Sequence, residues 1–255
     1  MELRAARRDR AARNGVELFL YERVFADCLD RLTLIPRRFR RALLIGCPDA
    51  KWPMRLGSKA DRVDVRDPGR VFAQAAEGDI IVEDHWLPPS RAYDLVLAIG
   101  TLDSVNDLPL ALRLIAEAMT EDGLLLGAIS GGDTLPALRA AMRAADALTG
   151  VAAPHVHPRV EASSLAPLLS SAGLTMAVVD VDRVEVRYRA FRHLVGDLRA
   201  MGVTNILAQR PRQPLNRRAL AAAEQAFHDA GTDGRTAEVF EILHFSACKG
   251  SPRLG

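Results

Sequence analysis

The segment Ala42–Ala50 reads ALLIGCPDA and decides the fold more than any other part of the chain. Its four consecutive apolar residues, bounded by an arginine and a glycine, are typical of a short strand that is buried on both faces. Glycine at position 46 suits the sharp turn by which such a strand enters a loop, because glycine permits positive φ. The segment therefore predicts a central parallel strand whose carboxyl end opens onto a ligand-binding turn.

Six further short apolar runs, each bounded by Gly, Pro or Asp, complete a set of seven predicted strands. They are Ala42–Ile45, Arg62–Val65, Asp79–Val82, Tyr93–Ile99, Leu124–Ile129, Met176–Val181 and Phe240–Ala247. Helical patterns lie between several of these runs, and strands that alternate with helices indicate βαβ units and a mostly parallel sheet. A long helical insert at about 191–230 separates the last two strands. We therefore expect an α/β fold with a Rossmann-like, doubly wound sheet, Gly46 at the tip of the first strand and the last strand antiparallel.

The N-terminal arm is predicted to be helical. Apolar residues at steps of three and four predict a helix over 16–34, with Pro36 beyond its end. We expect this helix to cover the ligand side of the sheet. Its docking residues would be Leu18, Tyr21, Phe25 and Leu29. The basic segment before Gly15 predicts a separate short helix.

Three helices are predicted between the later strands. Asp107 is expected to cap one that closes at Gly123, and Asp133 is expected to cap the next. Ser164–Ala172 would form the third, which ends at Gly173.

The chain has 255 residues, of which 49% are hydrophobic, and this is enough for one large core. We predict a single domain over residues 1–255, with a helical arm at 1–40 and an α/β core at 41–255. No apolar run approaches the roughly 18 residues that span a bilayer, and no secretory signal is recognisable. The three cysteines are far apart in sequence, so neither a disulfide framework nor a metal site is expected, and a reducing cytoplasm is the expected location.

Arginines are concentrated near the N-terminus, although the whole chain carries a net charge of only +2. Residues 1–41 contain eleven arginines and six acidic residues. A basic arm can bind nucleic acid, an acidic partner or a membrane surface, or it can be a solvated helix face. We favour the solvated face, because acidic and apolar residues interrupt the run and no aromatic side chains are interleaved to stack on nucleobases. Nucleic acid is therefore not an expected partner.

In doubly wound sheets, ligands bind beyond the carboxyl ends of the strands. The turns at that edge are Gly46–Ala50, Asp64–Asp67, Glu83–Trp86, Gly100–Asp107 and Ser130–Asp133. This rule predicts where a ligand lies without identifying it.

Several of these turns carry recognisable motifs. Residues 43–50 (LLIGCPDA) line up with the pattern D-L-G-C-G-x-G, and 63–65 (VDV) look like the strand end that follows it. Residues 83–88 (EDHWLP) are similar to D-x-E-x-L-P, and 92–96 (AYDLV) to F-D-L-V. In this order the motifs resemble those of class I S-adenosylmethionine (SAM) methyltransferases, which implies the same fold and cofactor.

Further segments narrow the resemblance. They are VNDLP at 105–109, GAISGGDTL at 127–135, PHV at 154–156, RRDRAAR at 7–13, PRRF at 36–39 and DLRAMG at 197–202. Together they resemble the BioC-like group and, most closely, the bacterial relatives of the mitochondrial complex I assembly-factor methyltransferases. The resemblance covers nearly the whole chain.

The resemblance also implies which residues would hold SAM. They are Gly46, Cys47, Asp64, Glu83, Asp84 and Ile99. Asp64 would bind the ribose hydroxyls and Glu83 the adenine amine. The alternative for both is a solvated acid at a strand end.

Three residues are candidates for catalysis, and each has an alternative. Asp103 is the only acid in the loop where these methyltransferases accept substrate, apart from the predicted cap Asp107. Asp133 is more often a helix cap than a catalytic base. His155 keeps a family position and is more often a structural hydrogen-bonding residue. With His157 it has no cysteine or acidic cluster nearby, which makes a poor metal site.

The cofactor loop departs from the family pattern at three positions. Leu44 replaces an acid, while Pro48 and Ala50 replace the second and third glycines. Proline fixes φ and removes a backbone donor, whereas glycine lets the backbone approach a ligand closely. Leucine cannot act as a polar anchor. We therefore expect SAM binding to be weak or lost.

Two functions follow from the resemblance. The first is a SAM-dependent methyltransferase acting on a protein or a small carboxylic acid; the family also includes members in which hydroxylation replaces methyl transfer. The second is a non-catalytic pseudo-methyltransferase that serves as a binding or complex-assembly factor. The altered loop favours the second, and the retained Asp64 and Glu83 favour the first.

Overall fold

A computed structural model describes residues 2–250, which form a seven-stranded sheet flanked by helices. The strands are β1 (Phe39–Ile45), β2 (Ala60–Asp67), β3 (Asp79–Ile80), β4 (Tyr93–Ile99), β5 (Met119–Ser130), β6 (Leu174–Tyr188) and β7 (Thr236–Lys249). Their order across the sheet is β3-β2-β1-β4-β5-β7-β6. The pairs from β3 to β5 are parallel, and β7 is antiparallel to both of its neighbours. The predicted fold class and the antiparallel last strand are confirmed.

Two helices precede the first strand, and the others lie in the connections between strands, together with a short 3₁₀ turn at Leu102–Ser104. They are α1 (Glu2–Asn14), α2 (Phe19–Thr33), α3 (Trp52–Leu56), α4 (Arg70–Ala75), α5 (Leu108–Ala118), α6 (Pro136–Thr149), α7 (Ala162–Ser171), α8 (Phe191–Ala200) and α9 (Arg217–Asp229). The predicted insert between the last two strands is α8 and α9 joined by a loop. No helix within residues 2–250 is long and apolar enough to cross a membrane.

Strands β6 and β7 are longer than predicted, with 15 and 14 residues. They pair from Leu174–Lys249 to Tyr188–Thr236, with one irregularity near Thr175. Most of β6 alternates between exposed and half-buried residues because it lies at the edge of the sheet. The predicted strands were continuous apolar runs, and an alternating edge strand such as β6 does not contain one along its whole length.

Helix α2 docks on the sheet through a buried cluster, as the sequence predicted. The ring of Phe25 stacks on Trp52 with centroids 4.3 Å apart, and the Tyr21 hydroxyl donates to the Met201 carbonyl at 2.8 Å. Leu18 and Leu29 are half-buried and pack at the border of this cluster. The helix begins at Phe19 instead of residue 16, because a Glu17 carboxylate oxygen accepts the backbone N–H groups of the next two residues in a turn.

One predicted helix cap is confirmed and the other is wrong. Asp107 accepts the N–H of Leu110 at 2.8 Å at the start of α5. Asp133 does not cap α6, which begins three residues later after Leu135, whose φ is +63°. The free N–H groups of that helix are bound instead by Glu238 of β7, a residue distant in sequence. Asp133 is exposed and pairs with Arg183 at 2.6 Å.

Candidate functional site

The carboxyl ends of β1, β2 and β4 meet at Gly46. Its N–H donates to the Arg66 carbonyl at 2.8 Å, and its φ is +85°. A Cβ at this position would collide with the carbonyl oxygen of Ile99, so a side chain cannot be accommodated. The predicted turn is therefore present, with Gly46, Cys47 and Ile99 close together at the edge where the fold places a ligand.

The acid at the end of β2 is Asp67 instead of Asp64. Its fully buried carboxylate accepts the backbone N–H of Cys47 at 2.9 Å and that of Gly69 at 2.7 Å. It also accepts two hydrogen bonds from Arg8, at 2.9 and 2.6 Å. The predicted strand ended at Val65, so Asp67 was not among the predicted site residues; the Pro-Gly pair that follows Asp67 is the sequence signal for the observed end of β2.

Asp64 lies inside β2, in register with Leu43. Its carboxylate accepts hydrogen bonds from Arg41, Arg62 and the Tyr93 hydroxyl. Partial burial alone would raise the pKa of Asp64, but the hydrogen bonds from these three partners outweigh it and lower the pKa. The structure therefore does not bring Asp64 to the ligand edge. Its carboxylate is stabilised in the charged form by these hydrogen-bond donors.

Glu83 lies after β3 and is held by Arg4. The guanidinium of Arg4 donates to both carboxylate oxygens at 2.7 and 2.6 Å, and also to the Thr101 carbonyl. The two side chains are 4% and 0% exposed, so this ion pair is excluded from water. The adjacent Asp84 is also buried, and one of its oxygens accepts the N–H groups of Asn106 and Asp107.

Helix α1 therefore closes the edge of the sheet with its own side chains. Its buried face consists of Arg4, Arg8 and Ala11. Arg8 binds the carboxylate of Asp67 at the end of β2, and Arg4 binds that of Glu83 after β3. Tyr21 of α2 lies directly against Gly100, where a Cβ would overlap its ring. The basic arm is thus not only a solvated face, since two of its cations are among the most buried polar groups of the structure.

The acids at the strand ends and a backbone donor of the loop, where the resemblance places SAM, are all engaged within the protein. The N–H of Cys47 is given to Asp67, and buried Pro48 has no N–H to offer. Burial raises the pKa of the Cys47 thiol to about 12, so the thiol is protonated at neutral pH. Leu44 is fully buried in the apolar cluster beneath α2.

The three catalytic candidates lie in different environments. Asp103 accepts the backbone N–H of Ser130 and lies 3.4 Å from Arg159. His155 Nε2 is 2.8 Å from a carboxylate oxygen of Asp146 on α6, which ties the loop to that helix. Asp133 is exposed beside Arg183, as described above. The structure does not assemble the three into one site.

A cavity of about 90 Å³ lies between α1, α2, the carboxyl end of β5 and the middle of β7. Arg4 and Arg8 line one part of it, so they stand between the cavity and the acids that they bind. Asp103 and Arg159 also line it, together with apolar side chains of α2, α8 and β7. Of the predicted catalytic residues, Asp103 alone lines this cavity.

His157 lines the same cavity and predicts a pH dependence of stability. Its Nε2 accepts the N–H of Ile206 at 3.1 Å, which requires the neutral ring. Burial, with a smaller effect of the nearby Arg159 charge, lowers the pKa of His157 below its ordinary 6.5. The unfolded chain therefore binds a proton before the folded one does, and the contribution of His157 to stability is present above pH 6.5 and lost as the pH falls through the lowered pKa.

We expect the free energy of unfolding to decrease between about pH 8 and pH 5, and to decrease less in His157→Gln. Urea denaturation at a series of pH values measures this difference. His193→Gln, at an exposed position of α8, is the control and should keep the wild-type pH dependence. An unchanged pH dependence in His157→Gln would show that another group is responsible.

Comparisons with known proteins agree with this fold. A methyltransferase-domain family model matches residues 18–179. The mouse protein named "Arginine-hydroxylase NDUFAF5, mitochondrial" is 31% identical over 97% of this chain and 76% of its own length. A malonyl-[acyl-carrier protein] O-methyltransferase of Laribacter hongkongensis is 29% identical over 72% of this chain and 60% of that protein. The crystal structure of the YcgJ protein from Bacillus subtilis superposes with a TM-score of 0.58 at 11% identity, covering 89% of this chain and 99% of the other.

Proposed function

The chain belongs to the SAM-dependent methyltransferase family, and on this premise we propose that it is a non-catalytic member that serves as a binding or complex-assembly protein. In this proposal α1 has taken over the edge of the sheet where other members hold their cofactor. The chain keeps the fold and uses it to present a surface or a pocket. The names of the relatives describe two different reactions, so family membership by itself does not select one.

The observation that carries this proposal is the pair of buried, bidentate arginine–carboxylate contacts. A cofactor that used Asp67 and Glu83 would have to separate them from Arg8 and Arg4. Breaking one such buried pair costs about 3–5 kcal/mol, because it leaves a charge without its partner. A lost hydrogen bond to a charged group costs a further 1.5–3 kcal/mol or so, and this applies to the donor that Pro48 lacks. Both costs lower the affinity for SAM.

A second candidate is an active SAM-dependent enzyme that acts on a protein or a small carboxylic acid. Acids are retained where β2 ends and where β3 is followed by a turn, which favours this alternative. It requires α1 to leave the edge before the cofactor binds. The two functions therefore differ in what happens when the contacts of α1 are removed.

The test is calorimetric titration of the full-length protein with SAM and with S-adenosylhomocysteine. We expect no saturable binding below about millimolar concentration, and low-micromolar binding by the unaltered protein would contradict the proposal. The double variant Arg4→Met, Arg8→Met removes the cations of α1, and Arg38→Met, Arg40→Met at exposed positions is its control. Low-micromolar SAM binding by the first variant alone would favour the active enzyme.

Restoring the loop glycines is a separate arm of this test. Pro48→Gly and Ala50→Gly, introduced into the Arg4→Met, Arg8→Met protein, return the missing backbone donor and remove a side chain. Leu44→Asp is left out, because position 44 is fully buried in the apolar cluster and an unpaired carboxylate there would destabilise the fold. We expect tighter SAM binding in this combined variant than in either pair alone, and equal affinity would show that the loop does not limit binding.

A further inference from the structure

The sheet has two edge strands, and they differ in length. Strand β3 forms one edge with two residues, whereas β6 forms the other with 15. Strand β6 pairs with β7 on one side, and its backbone groups on the other side have no hydrogen-bond partner within residues 2–250. Proteins usually shorten or cover such an edge, because its free N–H and C=O groups can pair with another strand. The outward backbone of β6 is therefore available for pairing.

The second half of β6 carries charges of alternating sign. Residues 183–187 read Arg-Val-Glu-Val-Arg, and the three charged residues are exposed on one face of the strand. On the other face, Asp180 and Asp182 are already paired with two arginines of α2. A row of like charges would repel a second copy of the same strand, whereas alternating signs can match it.

Arg183 and Glu185 both keep unused hydrogen-bonding capacity. Arg183 donates from Nε to Glu241 at 3.1 Å and from Nη2 to Asp133 at 2.6 Å. Its Nη1 has no hydrogen-bond partner in the described part of the chain. Glu185 accepts from Arg187 at 3.0 Å through Oε1, and its Oε2 has no partner there either. One donor and one acceptor, two residues apart, therefore remain free on this face.

The charges select one register for the pairing of β6 with a second copy. In an antiparallel pair about a two-fold axis, residues at equal distances on either side of the axis face each other. An axis at Val184 places Arg183 opposite Glu185 of the second copy, twice, and brings no like charges together. An axis at any of residues 180–183, or at 185, would instead place two like charges face to face. Axes nearer the ends shorten the paired segment or meet the irregularity near Thr175.

We infer that β6 is a homodimer interface, in which two copies pair antiparallel about an axis at Val184 and their sheets become continuous. The paired segment spans residues 180–188 of each copy. Each copy has one such edge, so the contact closes after two copies and does not produce a filament. The interface uses none of the residues that hold α1 on the sheet, and it does not depend on whether SAM binds.

Sedimentation velocity of the full-length protein tests the interface. We expect a reversible monomer–dimer equilibrium between about 1 and 500 µM, because pairing through one strand buries a small area and gives weak association. Glu185→Arg places like charges opposite each other at both contacts, so it should lower the association constant at least about tenfold. Glu224→Arg makes the same change at an exposed position of α9 and is the control. A monomer at all these concentrations, or a dimer that Glu185→Arg leaves unchanged, would overturn the inference.

A disulfide tests the register. In the inferred dimer the two Val184 residues face each other with Cα atoms about 4.5–5.5 Å apart, which a disulfide can span. Mild oxidation of Val184→Cys should therefore give a covalent dimer, above the background of the unaltered protein with its three free cysteines. Val181→Cys is the control and should stay monomeric, because this exposed position would face Arg187 of the second copy. Equal cross-linking of both variants, or of neither, would contradict an axis at Val184, and neither outcome bears on the SAM titrations.

Discussion

Replacement of Asp67 by asparagine is expected to lower the free energy of unfolding by about 3–5 kcal/mol. The substitution keeps the size of the side chain and removes the charge that Arg8 faces at 2.6 Å in a site without solvent. Asparagine can replace part of the hydrogen bonding to the N–H groups of Cys47 and Gly69, but it cannot neutralise the guanidinium. Urea denaturation followed by circular dichroism measures the loss.

A double-mutant cycle with Arg8→Met separates the ion pair from the other contacts of Asp67. When both partners are removed, the loss should be smaller than the sum of the single losses, because no buried charge is left unpaired. Asp61→Asn is the matched control, since its ion pair with Arg38 is solvent-exposed and such pairs contribute about 0–1 kcal/mol. A loss below about 1 kcal/mol in Asp67→Asn would mean that α1 does not hold the edge as described.

Helix α1 can also respond by detaching from an otherwise folded protein. In that case the decrease in the free energy of unfolding cannot exceed the free energy by which α1 docks on the rest of the protein. Hydrogen exchange then distinguishes the outcomes: the amides of residues 2–14 would exchange faster in Asp67→Asn, while those of β1 and β4 would stay protected. Faster exchange confined to residues 2–14 would identify the Arg8–Asp67 pair as a contact that keeps α1 in place, whereas unchanged exchange there together with a loss below about 1 kcal/mol would contradict this role.

Truncation of Phe25 to alanine is expected to cost about 3–5 kcal/mol. Phe25 is fully buried, stacks on Trp52 at 4.3 Å, and has the Arg55 guanidinium 4.8 Å from its ring centroid. Removing the ring leaves a cavity between α2, Trp52 of α3 and the sheet, and close packing around it limits how far the site can collapse. The midpoint of urea denaturation reports the effect.

The control for Phe25→Ala is Leu34→Ala, at a residue that is 83% exposed just after α2. Its effect should stay within about 0.5 kcal/mol, as for surface substitutions generally. A small effect of Phe25→Ala would instead show that α2 is only loosely docked. The arm would then be available to a partner, which would strengthen the assembly role proposed above.

Local sequence patterns were sufficient for the order of the seven strands and for the helices of residues 2–250 other than the short α3 and α4, which were not predicted. Segment 42–50 predicted the buried first strand and the turn at Gly46, because a short continuous apolar run that ends at a glycine is typical of a buried parallel strand. The amphipathic period of α2 and the cap at Asp107 were readable for the same reason, since their partners lie within a few residues. The loss of the loop glycines was visible in the sequence alone.

Only the tertiary structure decided what the polar residues do. Arg4 and Arg8 were part of a basic arm in the sequence, and their partners Glu83 and Asp67 lie 79 and 59 residues away. Glu238 likewise caps α6 from about 100 residues away and takes the role assigned to Asp133. Whether a charge is solvated, paired or left without a partner depends on which distant segments the fold brings together. Hydrophobic periodicity is set by an element's own geometry and can be read from local sequence, whereas electrostatic pairing across a sheet edge exists only once the chain has folded.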